Sequence, residues 1–142
     1  MYSTLTVEDL GDLMQIPQLA VLATYRRDGR LILSPLWWEW RDGSFVVPVF
    51  DGDFKLAHVK RDPRASIVLA ENSLPYRGIE VSGTAKILEE PGALERFRRM
   101  AHRFVGVEAG DAMLAEHGEG DLYELKIEGK VRCWNLDAVF PA

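Results

Sequence analysis

LAVLATYRRDGRLILSPLWWEWRDGSFVVPVF, residues 19–50, contains one device twice: an apolar, β-prone run, an Asp-Gly pair, then another such run. Asp-Gly favours the positive backbone angles of tight hairpin turns, so Asp28-Gly29 and Asp42-Gly43 predict three consecutive antiparallel strands over 19–26, 31–40 and 44–50. Strands joined this way need no crossover helix, which sets the chain apart from the β-α-β alternation of parallel sheets.

The segments on either side extend the pattern. DGDFKLAHVKRDP carries Gly at its start and Pro at its end, predicting a short helix over 53–61. ASIVLA, residues 65–70, and RGIEVSGTAKIL, residues 77–88, read as strands, with turn chemistry in ENSLPY between them. After Pro91, the apolar residues Leu94, Phe97, Ala101 and Phe104 recur at helical spacing, so an amphipathic helix follows. VEAGDAMLAEHG predicts a second helix ending at Gly118, and LYELKIEGKVRCWNL a closing pair of hairpin-like strands. Upstream, Thr6 and Asp9 form a capping box before Val7, Leu10, Leu13 and Met14, predicting a short leading helix that stops before Pro17. The fold class expected is mainly β: a small antiparallel barrel or curled sheet with helices packed outside.

The 142 residues correspond to one domain, large enough to bury a core without metal or disulfide staples. Seventeen Lys and Arg against 22 Asp and Glu give a net charge of -5, so the overall field repels nucleic acid and anionic lipid. Any anion site must be local. The single Cys133 cannot form an internal bridge and stands in no zinc pattern, which fits a reducing cytoplasm. No signal peptide or membrane-spanning run is legible.

Two stretches invite a functional reading. FKLAHVKRDPR, residues 54–64, gathers Lys55, Lys60, Arg61 and Arg64 behind a glycine loop and a helix start. Helix N-termini attract anions and a lysine there suits a phosphate, so a phosphate clamp stands against a merely solvated basic face. SPLWWEW, residues 34–40, holds three of the four tryptophans. On a strand Trp38 and Trp40 face one way and Trp37 the other, leaving dimer interface, ligand wall and plain core all open. His58, His102 and His117 are too scattered for a metal and read as surface residues. No catalytic triad order, nucleophile elbow, phosphate-binding P-loop or dinucleotide fingerprint is present. Glu80, on an otherwise apolar strand, reads as an edge residue or a partner of Arg77 or Lys86.

Taken together, LATYRRDGRLILSPLWWEW, FKLAHVKRDPRASIVL and PYRGIEVSGTAKIL resemble the pyridoxamine phosphate oxidase-like split-barrel family over roughly residues 5–135. Within it they are most similar to small flavin- or deazaflavin-dependent reductases related to coenzyme F-420 enzymes. The resemblance implies a six-stranded split barrel, a homodimer, and FMN or a deazaflavin bound between the subunits, with hydride passing to a small organic substrate. It places Leu33, Ser34, Pro35 and Trp38 along the ring system and Val49 and Phe50 near the ring or ribityl chain. Lys55 takes the phosphate position, Lys60 and Arg61 follow on the same helix, and Arg77 approaches the cofactor as a polar group. Asp51 and Asp53 beside Lys55 weigh against a polyglutamate tail and toward FMN. A flavin- or haem-binding carrier or sensor without turnover is the alternative, and a cofactor-free dimer the third reading.

Overall fold

In the computed structural model, which describes residues 5–139, β1 (Ala20–Tyr25) buries Ala20, Leu22 and Thr24 on one face. Val21, Ala23 and Tyr25 stand half-buried on the other, the period of two that a strand imposes. The same alternation runs through β2 (Leu31–Leu36) and β5 (Arg64–Ala70), whereas β3 (Glu39–Arg41), β4 (Ser44–Phe50), β6 (Gly78–Leu88) and β7 (Leu122–Trp134) depart from it over part of their length. These make one antiparallel sheet in the order β2-β1-β5-β6-β7-β4-β3.

The two outermost strands of that order, β2 and β3, are consecutive in the chain, with only Trp37 and Trp38 between them. Three Cα steps reach at most about 11 Å, so the sheet must curl until its edges nearly meet. Inside the curl lies the main core, in which Trp38, Phe45, Leu22, Ile67, Ile79 and Leu125 are almost fully buried. Outside it pack α1 (Phe54–Arg61), α2 (Ala93–Val105) and α3 (Val107–Leu114), and α4 (Leu136–Val139) ends the described chain. Phe97 and Ala101 of α2 and Leu114 of α3 form a second, smaller cluster with Leu122.

The expected fold class holds, with seven strands where six were expected. The predicted strand 31–40 breaks at Trp37-Trp38 because the segments on either side belong to opposite edges of the sheet, Leu36 to β2 and Glu39 to β3. Trp38 turns into the barrel, edge-on to Phe45 at 5.3 Å, while Trp37 stacks outside on Phe104 at 5.3 Å. The predicted closing hairpin is one continuous strand. Gly129 makes no turn there; it pairs across the sheet with Gly83, where the backbones of β6 and β7 crowd together. A Cβ on Gly129 would stand 2.2 Å from the Ser82 carbonyl oxygen, and one on Gly83 2.3 Å from that of Glu128. Two short 3-10 turns, Val7–Leu10 and Leu13–Gln15, replace the leading helix, and the Thr6 amide does donate to the Asp9 carboxylate at 2.7 Å. The Asp42-Gly43 turn is the two-residue hairpin the sequence predicts, with φ of 53° and 74°. Glu80 lies 3.4 Å from Arg132, and Arg77 and Lys86 are not its partners.

Two ion-pair networks fasten the outer parts to the sheet. Arg77 grips Glu71 through Nε at 2.6 Å and Nη2 at 2.9 Å, and its Nη1 donates to the Leu10 carbonyl at 2.8 Å and to Asp12 at 2.6 Å. One side chain thereby ties the leading turns to the β5–β6 connection. Glu124 of β7, only 3% exposed, accepts from Arg96 of α2 at 2.6 Å and from Arg41 of β3 at 3.3 Å. Burial pushes its carboxyl up, but the Arg96 and Arg41 guanidiniums outweigh that and hold it below the ordinary 4.5. The Arg77 guanidinium likewise holds Glu71 down.

Replacing Arg77 by Ala strands a nearly buried carboxylate and should cost about 3–5 kcal/mol in denaturant unfolding. Arg77→Lys should recover only part, because an ammonium cannot make the two-pronged contact. An Ala variant within error of wild type would show that the network adds nothing. Since both carboxyl pKa values are lowered on folding, their contribution is present above the unfolded value of about 4.5 and lost as pH falls through the depressed native values. Thermal melts should therefore weaken below that pH, and the fall should be shallower in Glu124→Gln; parallel curves would assign the acid sensitivity elsewhere.

Candidate functional site

Strand β4 ends at Phe50, and the chain turns through Asp51-Gly52 into α1, with the Asp53 amide donating to the Phe50 carbonyl at 3.1 Å. Asp53 caps the helix: its Oδ1 accepts from the Lys55 amide at 2.8 Å. Its Oδ2 also takes the Lys55 ammonium at 3.0 Å, and Lys55 Nζ stands 4.8 Å from the Phe54 ring centre. The lysine and the positive end of the helix thus face the same way, already shared with one carboxylate. An anion arriving here competes with Asp53.

Beside this turn lies an apolar cavity of about 260 Å³ between the end of β2, β4 and the two outer helices. Pro35, Trp37, Pro48, Phe50, Phe97 and Met113 line it. Trp37 is fixed by stacking on Phe97 at 5.9 Å and on Phe104 at 5.3 Å, and Phe50 meets Phe97 edge-on at 5.3 Å. His117 stacks on Phe50 at 4.4 Å. Flat aromatic walls of this kind suit a planar ring. Behind Trp37, Arg103 lies over the Trp38 ring and donates to the Trp38 carbonyl, and its Nε is buried without a hydrogen-bond partner among the described residues.

The expected site residues fall in different places. Pro35 and Phe50 share the aromatic cavity, and Lys55 follows Phe50 across the Asp53 turn. Leu33 and Pro35 stand on the outer face of β2, with Leu33 64% exposed, whereas Ser34 sits opposite buried Leu22 on the inner face. Trp38 and Val49 belong to the core, and Trp38 Nε1 donates to the Gln18 carbonyl at 2.6 Å. Lys60 lines a separate cavity with Leu56 and Ile87. Arg61 donates to the Tyr25 carbonyl at 2.8 Å, and Arg77 is committed to Glu71 and Asp12. Sequence reasoning missed Phe97, Met113 and His117. Phe97 carried a signal, but helical spacing gave it the same look as any core residue. His58 is not the simple surface residue expected: it is half-buried, its Nδ1 3.0 Å from the buried Thr24 hydroxyl. Among the described residues, no group of three His, Cys, Asp or Glu side chains is arranged to hold a metal.

The sequence profile described as Pyridoxamine 5'-phosphate oxidase matches residues 7–131, nearly the whole chain. The protein belongs to this family. Solved structures with the same fold agree. A conserved hypothetical protein from Mycobacterium tuberculosis superposes with a TM-score of 0.75 at 22% identity, covering 99% of this chain and 92% of its own. A structure named F420 Reductase gives 0.66 at 20% identity, covering 84% and 93%. HutZ, named as the haem storage protein from Vibrio cholerae, gives 0.63 at 18% identity, covering 88% and 92%. No curated protein matches the sequence. Among the described residues, no helix is long and apolar enough to cross a membrane.

Within the pyridoxamine 5'-phosphate oxidase family the chain therefore combines an open, aromatic-lined apolar cavity with one lysine held by its own N-cap. Asp53→Ala should cost about 1 kcal/mol through loss of the cap, and Asp53→Asn only a few tenths, since Asn caps equally well. Thermal melts of the two variants separate capping from charge; equal losses would mean that the Lys55 pair, and not the cap, holds the turn.

Proposed function

We propose that this protein is a homodimeric oxidoreductase that binds FMN or a related deazaflavin and passes hydride to a small organic substrate. The observation that carries this reading is the aromatic slot of Pro35, Trp37, Phe50 and Phe97 beside Lys55 at the start of α1. The slot fits the planar ring, and Lys55 fits the phosphate provided that Asp53 gives way. A bound flavin would supply the hydride chemistry. The chain's own residues bind, orient and keep water out: Pro35, Trp37 and Phe50 hold the ring, and Lys55 offsets the phosphate charge.

At about 260 Å³ the slot is smaller than the roughly 300–1,000 Å³ usual for cofactor sites, which supports completion by a second copy. The outer face of β2 and β1 supports the same view. Leu31 is 52% exposed and Leu33 64%, and the register sets Leu33 beside Ala23, and Pro35 beside Val21, which in turn neighbours Val68. Such a continuous apolar strip suits a self-complementary interface.

A second reading, a haem-binding carrier without turnover, is favoured by His117. It stacks on Phe50 at the slot, where it offers the imidazole that a haem iron takes.

The experiment is a titration of the purified protein with FMN, deazaflavin and haem. Lys55→Ala should weaken flavin binding by about 1.5–3 kcal/mol, the size of a hydrogen bond to a charged group. Asp53→Asn should tighten it several-fold by freeing Lys55. Indifference to both substitutions would remove Lys55 from the site. Haem binding abolished by His117→Ala, with neither flavin bound, would establish the carrier reading instead.

A further inference from the structure

At the far end of α1, roughly 9 Å of helix from Lys55, the turn joining β1 to β2 packs over the last helical residues. It is a three-residue turn in which the Arg26 amide donates to the Arg30 carbonyl at 2.8 Å and the Gly29 amide to the Arg26 carbonyl at 2.9 Å. This geometry sets Arg26 and Arg27 beside His58 and Arg61 around an open cavity of about 400 Å³. The acidic residue on its wall, Asp28, is held by Arg30 at 3.0 Å. Among the described residues neither the Arg26 nor the Arg27 side chain has a salt bridge or hydrogen bond, although the Asp28 charge lies near Arg26. Arg61 gives one hydrogen bond to the Tyr25 carbonyl and, among the described residues, has no salt bridge, although the Asp62 charge lies near it.

A chain of net charge -5 thus keeps three guanidiniums together around one cavity. Left alone they repel one another and oppose folding. A bound polyanion would reverse that sign, and guanidinium forks match phosphate oxygens two at a time. The carbonyl end of α1 points here and disfavours an anion, but its partial charge is about half a unit against three full ones.

We propose that Arg26, Arg27, His58 and Arg61 form a second anion site, distinct from the flavin slot, for a small ligand bearing phosphate groups. The assignment does not depend on the oxidoreductase reading. The His58 ring supports it: burial, then Arg61 and Arg26, hold its pKa below 6.5, with Lys55 acting the same way and Asp53 opposing. Thr24 engages Nδ1, which leaves Nε2 without a described partner. A phosphate near Arg26 and Arg61 would relieve the repulsion and raise the His58 pKa.

Calorimetric titration of the full chain with pyrophosphate, and separately with inorganic phosphate, tests the site. Pyrophosphate should bind one per chain at low ionic strength, more tightly than phosphate, and weaken steeply with added salt. Arg26→Ala/Arg27→Ala should lose at least tenfold in affinity; both side chains are exposed, so folding is not at stake. Lys55→Ala and FMN-saturated protein should bind pyrophosphate as wild type does. In the unsubstituted protein, NMR titration of His58 should show its pKa rising on addition of pyrophosphate. No binding at millimolar pyrophosphate, or no movement of His58, overturns the proposal. Loss of binding in Lys55→Ala or by FMN competition would overturn it too, by placing the anion in the flavin slot.

Discussion

The two-residue link between β2 and β3 is the constraint on which the architecture depends. Consecutive strands normally pair with each other, but Leu36 and Glu39 belong to opposite edges of the same sheet. The whole sheet has to bend around to bring those edges together. Burial of Trp38 favours that bend, because an indole withdrawn from water is among the largest single apolar contributions a side chain makes. Its Nε1 reaches the Gln18 carbonyl, so that burial leaves no donor stranded.

The aromatic slot follows from that same corner. If Trp38 goes inward, Trp37 must go outward, where α2 covers it with Phe97 and Phe104. The helix is held in turn by Arg96 on Glu124 and by Arg103 across the Trp38 ring. Core, corner and outer helix therefore share one set of contacts, and the slot between Trp37 and Phe50 is walled by rings packed against them. The α3 side is held by the charged contacts of Arg98 and His102 with Asp111 and by the buried residues of the small cluster.

Most of the strands were legible because alternation and Asp-Gly turns act locally, within a few residues. What the sequence hid depends on distant partners. Gly129 looks like a turn residue until Gly83, far back along the chain on the neighbouring strand, is seen opposite it. WWEW looks like a strand until α2 arrives from sixty residues away to claim Trp37. The basic cluster of α1 was visible as composition, but its division was not: Lys55 is bound by Asp53, Lys60 faces another cavity, and Arg61 joins Arg26 and Arg27 from a hairpin that was read only for its turn.

The nearly closed sheet also governs how the protein avoids its own copies as aggregates. Exposed strand edges recruit further strands, and this sheet presents only β2 and β3 as edges. Pro35 removes a hydrogen-bond donor from one, and the other is only three residues long. Both edges run out from the Trp37-Trp38 corner, so protection against pairing with another copy rests on a proline in one strand and on the brevity of the other.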